Sequence, residues 1–251
     1  MCAPCTYLYV PVPAAEFVWD IRADERVAAV FAELWECTVQ DLIVSQDALS
    51  IHLPPEVTGK GWKHFDKFHT DQSFLTLERT TFQGLVNLYD THVGDATTMF
   101  LQGSHRLHHK FYEAHREKFS YPESHFTLID QADVQWFLDR GCRKELLLCE
   151  KGDLVLWDSR TMHCGSEPLR NRAAPNTRAT IYTCMTPRAL ASPAVQEERL
   201  ACFRNGDVCT HCPYRFNVFS KRPRKFYERG DPTSLQPIPP PRLSALAKGL
   251  L

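Results

Sequence analysis

Two short polar clusters, His69-Thr70-Asp71 and His163, lie 92 residues apart, each beside a strand-like run. If they act together, the chain must fold so that strands distant in sequence close side by side. In an extended segment residues i and i+2 point the same way, so His69 and Asp71 can reach one point while Thr70 faces away. His163 follows the strand-like Asp153-Leu-Val-Leu-Trp157, and the next apolar, β-branched run, Arg178-Ala-Thr-Ile-Tyr-Thr-Cys-Met185, opens with an arginine. Two imidazoles and one carboxylate form the ligand set of a non-haem iron(II) site, with the remaining octahedral positions open for a bidentate 2-oxo acid and for O₂. A guanidinium nearby would grip the distal carboxylate of 2-oxoglutarate through a bidentate, charge-assisted pair. His69, Asp71 and His163 are therefore the candidate metal ligands and catalytic residues, and Arg178 the candidate cosubstrate residue. Taken singly these signals are weak; their conjunction in this order, each beside a strand-like segment, carries the reading.

Strand-like stretches at Ala48–Leu53, Phe82–Tyr89, Thr97–Leu101, Leu146–Cys149, Leu154–Trp157 and Ala179–Met185 are separated by turn signals. Helical spacing predicts a helix over Ile21–Glu36, with Val27, Val30, Phe31 and Leu34 on one face and Asp20 or Asp24 as its cap. Two further helices, over His105–Lys118 and Asp133–Arg140, interrupt the strands. The pattern fits a mainly β fold with flanking helices, a double-stranded β-helix or jelly roll whose two sheets form a mouth for the metal. We expect one domain over residues 1–230, with its core at about 45–190. The proline-rich run Asp231–Arg242 suggests an extended or disordered tail over 231–251.

Three segments resemble the phytanoyl-CoA dioxygenase-like branch of the iron(II) and 2-oxoglutarate oxygenases. Phe68-His-Thr-Asp-Gln72 is similar to the family's first ligand motif, and Gly94-Asp-Ala-Thr-Thr-Met-Phe-Leu-Gln-Gly-Ser-His105 to its turn, strand and Pro-Gly-Ser-His segment, with Gln102 in place of the proline. Gly152-Asp-Leu-Val-Leu-Trp-Asp-Ser-Arg-Thr-Met-His163 resembles the segment that carries the distal histidine. With Asn176-Thr-Arg178 these cover roughly residues 60–187, about half the chain. Arg172 lies 9 residues after His163 and Arg178 lies 15 after it, and the family spacing falls between. Arg178 is preferred because it begins an apolar strand, whereas Arg172 sits in the polar loop Arg170-Asn-Arg-Ala-Ala-Pro175. The resemblance implies hydroxylation of a C–H bond in a small-molecule, acyl or lipid substrate, with release of succinate and CO₂. It also implies that Asp71 excludes the halogenase variant, which lacks this carboxylate to make room for chloride. Asn87, in the strand after the first motif, is a further candidate for the cosubstrate, or else satisfies sheet hydrogen bonds. Two alternatives stay open: a non-catalytic jelly-roll scaffold, and a cupin-type metal enzyme that does not use 2-oxoglutarate.

The formal net charge of −1, from 29 basic and 30 acidic residues, provides no global field for nucleic acid or an anionic membrane. Neither an apolar span nor a secretory signal is evident, which predicts a cytoplasmic protein; Lys221-Arg-Pro-Arg-Lys225 leaves a nuclear address open. Among the ten cysteines, the pairs Cys2/Cys5 and Cys209/Cys212 have the spacing of a zinc knuckle, so a structural zinc would fasten the two ends if they met. Unmetallated thiols are the alternative. Trp62, Phe65, Phe68 and Phe74 could line an apolar pocket or simply pack in the core. Lys60, Lys63 and Lys67 could meet an anionic substrate group or stay solvated.

Overall fold

Among the described residues, thirteen strands follow one another along the chain: β1 (Leu42–Val44), β2 (Leu49–His52), β3 (His69–Thr70), β4 (Phe82–Asn87), β5 (Thr97–Gln102), β6 (Thr127–Leu128), β7 (Arg143–Leu146), β8 (Leu154–Asp158), β9 (His163–Ser166), β10 (Arg178–Thr183), β11 (Met185–Pro187), β12 (Val208–Cys209) and β13 (Val218–Ser220). The helices are α1 (Glu16–Arg22), α2 (Glu25–Trp35), α3 (Pro55–Thr58), α4 (His108–Ala114), α5 (Gln131–Leu138), α6 (Pro193–Asn205) and α7 (Ala245–Leu250). These elements come from a computed structural model, which describes residues 15–59, 66–119, 127–220 and 240–251. Eight strands make two antiparallel sheets, ordered β2-β10-β4-β8 and β3-β9-β5-β7, and β6 extends the second beside β3. Along the chain the strands switch repeatedly between the two sheets, so each sheet interleaves strands distant in sequence. This is the double-stranded β-helix expected from the sequence.

The two-residue alternation of the strands decides what faces where. On β10, Ile181 points outward and packs with Ala15, Val18 and Leu49 under α1. Arg178, of opposite parity, reaches across to Thr98 on β5 of the other sheet. On β5, Met99 and Leu101 join an outer cluster with Phe68, Phe74, Phe111, Phe137, Met162 and Cys164, covered by α4 and α5. Phe100 turns inward against Trp157 of β8, with ring centroids 5.5 Å apart. A second outer cluster, containing Trp19, Val27, Phe31, Leu42, Val44, Val86 and Met185, is closed by α1, α2 and α7. The apolar cores thus lie outside the sheets, beneath helices, and the space between the sheets holds polar side chains beside Phe100 and Trp157.

Several elements differ from their sequence expectation. The helix expected over Ile21–Glu36 is two helices, because the Asp24 carboxylate accepts the Arg26 backbone N–H (2.9 Å) and starts α2 afresh. Its buried stripe is Val27, Ala28, Phe31 and Ala32, while Val30 is 36% exposed: the two alanines let the helix approach the sheet closely. The strand expected at Leu146–Cys149 lies earlier, at β7, where Arg143, Lys144 and Glu145 are exposed on an edge; charged edge strands do not carry an apolar signature. The tail expected over 231–251 is corrected at its far end. Ala245–Leu250 form α7, capped by Ser244, and bury Ala247 and Leu250 in the first outer cluster. Proline dominates only as far as Arg242, and the following run is a short amphipathic helix.

Phe68 and Phe74 are core residues, whereas Lys60, Trp62, Lys63, Phe65 and the basic run Lys221–Lys225 lie outside the described residues. Among the described residues, no helix is long and apolar enough to cross a membrane.

Phe111 is fully buried within a ring of Phe74, Phe119, Trp136 and Phe137. We expect Phe111→Ala to cost about 3–5 kcal/mol and Leu250→Ala about 2–5 kcal/mol, measured by urea unfolding. A Leu250→Ala effect within about 0.5 kcal/mol, the range of an ordinary surface substitution, would contradict the docking of α7.

Candidate functional site

His69 on β3 and His163 on β9 are direct cross-strand partners, so the sheet register brings their rings together, with centroids 4.4 Å apart and planes tilted by 54°. Asp71 follows β3 immediately. Its Oδ2 lies 3.4 Å from His163 Nε2, and its Oδ1 lies 3.8 Å from His69 Nε2. One donor atom from each of the three residues lies within 4.8 Å of the others. Thr70 points away, as the alternation requires, and its hydroxyl bonds the carbonyls of Gln72 (3.2 Å) and Ser159 (3.3 Å).

Both rings are oriented by backbone carbonyls. His69 Nδ1–H donates to the Lys67 carbonyl (3.1 Å) and His163 Nδ1–H to the Thr161 carbonyl (2.9 Å), which turns each Nε2 toward Asp71 and the point where a metal would sit. Burial first, and then the neighbouring His163, push the His69 pKa down to about 4, so this imidazole is neutral at physiological pH. For Asp71, burial opposes ionisation, but the hydrogen bond with His163 and the nearby His211 and His69 hold the carboxyl below its usual range. Two imidazoles and a carboxylate whose donor atoms converge fit a divalent iron ion.

Asp71 is held from behind. Gln83 on β4 donates from its amide to Asp71 Oδ2 (2.8 Å) and accepts from the Trp157 indole N–H on β8 (2.9 Å). The sequence reading passed over Gln83, although it is a polar residue inside an apolar strand run and has the same parity as Asn87.

Arg178 opens β10 and is buried between the sheets. Its Nη2 donates to Thr98 Oγ1 (2.9 Å), and its Nη1 lies 3.4 Å from His52 Nε2, which also meets Ser50 Oγ (3.0 Å). Burial, reinforced by the adjacent guanidinium, pushes the His52 pKa down to about 3. Among the described residues, no carboxylate lies within ion-pair distance of Arg178. Arg172 is the opposite case: it pairs with Glu56 (2.7 Å) and Asp95 (3.5 Å) and bonds the carbonyls of Leu169 and Ala174, which ties surface loops together. Asn87 directs its amide hydrogens to Tyr89 O (2.5 Å) and Thr91 Oγ1 (3.3 Å), with the carbonyls of Cys149 and Glu150 at 3.5 and 3.4 Å. It closes the end of β4 against neighbouring loops.

A hairpin absent from the sequence reading borders the site. Cys209 N–H donates to the Gln46 carbonyl (3.2 Å), and the Tyr214 hydroxyl to that of Thr80 (3.2 Å), so the segment between them spans from the loop between β1 and β2 to the loop after Asp71. His211 lies on that span. The zinc expectation finds no support: Cys2 and Cys5 lie outside the described residues, and Cys209 and Cys212 are buried free thiols. Burial raises the pKa of both, that of Cys212 to about 11, and a retained proton opposes metal ligation. Among the described residues, His69, Asp71 and His163 are the one group with metal-ligand spacing.

The sequence model of the phytanoyl-CoA dioxygenase family matches residues 10–174. The chain is 30% identical over 215 residues to the Ava biosynthesis cluster protein O of Aspergillus versicolor, covering 83% of this chain and 66% of that protein. Among solved structures, EctD from S. alaskensis with 2-oxoglutarate and 5-hydroxyectoine is 18% identical, with a TM-score of 0.46 over 71% of this chain and 55% of that one. AviO1 from Streptomyces viridochromogenes Tue57 is also 18% identical, with a TM-score of 0.40 over 66% and 59% of the two chains. The chain therefore spans about two thirds of the curated relative and somewhat over half of these structures.

His52 gives the region a pH signature. Its folded pKa of about 3 lies below the ordinary 6.5, so the unfolded chain takes up a proton that the folded chain refuses as pH falls between those values. Its contribution is intact above pH 6.5 and is lost on acidification towards pH 3. We expect urea stability to fall between about pH 7.5 and about pH 5, and to fall less in His52→Gln. An unchanged slope in the variant would show that His52 is not held neutral.

Proposed function

The chain belongs to the phytanoyl-CoA dioxygenase family, and from that premise we propose that it is an iron(II)- and 2-oxoglutarate-dependent dioxygenase that hydroxylates a C–H bond of a small molecule or of a lipid or acyl substrate. The observation that carries this reading is Arg178: a buried guanidinium with no carboxylate partner among the described residues, in the same inter-sheet space as the two histidines and aspartate. An isolated buried charge is costly unless something pairs with it, and a dicarboxylate cosubstrate would supply that partner.

In this reading His69, Asp71 and His163 hold iron(II), and Arg178 receives the distal carboxylate of 2-oxoglutarate. Bound there, the metal would supply O₂ activation coupled to decarboxylation of the keto acid, giving succinate and CO₂. Thr98 and the neutral His52 orient the guanidinium without neutralising it. Asn87 shapes the loops at the end of β4, its donors being committed there. Asp71 keeps the position that a halide would need, which favours hydroxylation. The intact ligand set speaks against a scaffold, and the unpaired arginine against a cupin that works without a 2-oxo acid. The name of the Aspergillus relative, a biosynthesis-cluster protein, favours a small-molecule substrate.

Anaerobic titration with iron(II) and 2-oxoglutarate tests this. A visible charge-transfer band should need both additions and be lost in His163→Ala. In Arg178→Gln it should need about 30-fold or more extra 2-oxoglutarate, the scale expected on truncating one partner of a buried charge pair. With O₂ admitted, Asp71→Ala should release no succinate above background. A wild-type protein that takes up iron yet shows no band with 2-oxoglutarate would overturn the proposal.

A further inference from the structure

We infer that Gln83 is a positioning residue that makes Asp71 bind the metal through a single oxygen, and that Trp157 fixes the direction in which Gln83 acts. This rests on the reading of His69, Asp71 and His163 as metal ligands and adds a residue to it.

Gln83 and Trp157 are directly opposed across β4 and β8, and the Gln83 side chain is buried. An indole N–H can only donate. Because it donates to Gln83 Oε1 (2.9 Å), the amide must present its NH₂ to Asp71 Oδ2 (2.8 Å), so chemistry sets the orientation of the amide. Trp157 is itself confined, its ring 5.5 Å from Phe100 and 5.1 Å from His163. The sequence Trp157 to Gln83 to Asp71 is therefore directional, with each group held by the one before it.

Its consequence falls on coordination number. A carboxylate oxygen that already accepts a hydrogen bond is the weaker metal donor, which leaves Oδ1, the oxygen on the His69 side, as the ligand. A carboxylate free to rotate could chelate through both oxygens and consume a position that a bidentate keto acid and O₂ require. Gln83 would prevent this without touching the metal.

Cobalt(II) reports coordination number through the intensity of its visible bands and can be used anaerobically, with or without 2-oxoglutarate. We expect Gln83→Leu, which keeps the bulk and removes both hydrogen bonds, to bind cobalt(II) about 10- to 100-fold more weakly than wild type. Its band intensity should change when 2-oxoglutarate is added, relative to wild type. Trp157→Phe should move both readouts in the same direction by less, and should add nothing in the Gln83→Leu background, since it acts through Gln83. A merely structural role would lower the thermal midpoint of the metal-free protein and leave the cobalt spectrum unchanged. Wild-type affinity and spectrum in a folded Gln83→Leu protein would overturn this inference alone; if that variant does not fold, a wild-type spectrum in Trp157→Phe does so. Failure of the wild-type protein to bind cobalt(II) would overturn the metal-site reading and this inference with it.

Discussion

One cross-strand pair, His69 opposite His163, gathers chemistry from two distant parts of the chain. Neither β3 nor β9 is long, and β3 has only two residues, so little in either strand secures that register on its own. It is secured by neighbours: β9 also pairs with β5 over four positions, and β3 is backed by β6. A slip of one residue would send His163 to the outer face and bring Cys164, now packed in the outer cluster, inward. The ligand geometry is thus a by-product of strand registry, and registry depends on which face of β5 is apolar.

That dependence explains the division between outside and inside. The outer faces bear Met99, Leu101, Val86 and Ile181 and bury them under helices, which supplies the hydrophobic stabilisation. The inner faces bear Gln83, Thr98, His163 and Arg178, which bond to other polar groups. A polar interior costs stability unless its groups are hydrogen-bonded, and here most are: Trp157 to Gln83 to Asp71 on one side, Ser50 to His52 to Arg178 on the other. Work against water is done outside the sheets, and the inside is left free to be a site.

The proposed ligands were legible in the sequence because a metal site demands specific residue types, two of them here at one strand parity, and His69, Asp71 and His163 meet that demand without reference to their surroundings. Strands with one apolar face, such as β4, β5, β8 and β10, were equally readable. The charged edge strand β7 was displaced and β11 merged with β10, since edge strands and short bridges owe their place to partners rather than to pattern. The hairpin carrying His211 drew notice only for its paired cysteines and left no strand signal: it is positioned by single hydrogen bonds to Gln46 and Thr80, more than 130 residues away. Gln83 lay between these cases. Its parity and polarity were visible, but its purpose appears only when Trp157 is found opposite.

The strongest functional argument comes from comparing buried charges. Three arginines are buried as whole residues among the described residues, and a fourth, Arg172, has a buried side chain that pairs with Glu56 and Asp95. Arg199 spends its guanidinium on the carbonyls of Val44 (2.7 Å), Leu251 (3.1 Å) and Pro213 (3.4 Å), joining β1, the C-terminal end and the hairpin. Arg22 reaches the carbonyls of Tyr182 (3.1 Å) and Asp47. Both are solvated by the backbone, and burial still lowers the pKa of each to about 10. Arg178 has no carbonyl cage of this kind; it has one hydroxyl and one imidazole, and the imidazole is forced neutral beside it. A fold that encloses two of these guanidiniums in carbonyls, pairs Arg172 with carboxylates, and gives Arg178 neither among the described residues fits the proposal that an anion binds there.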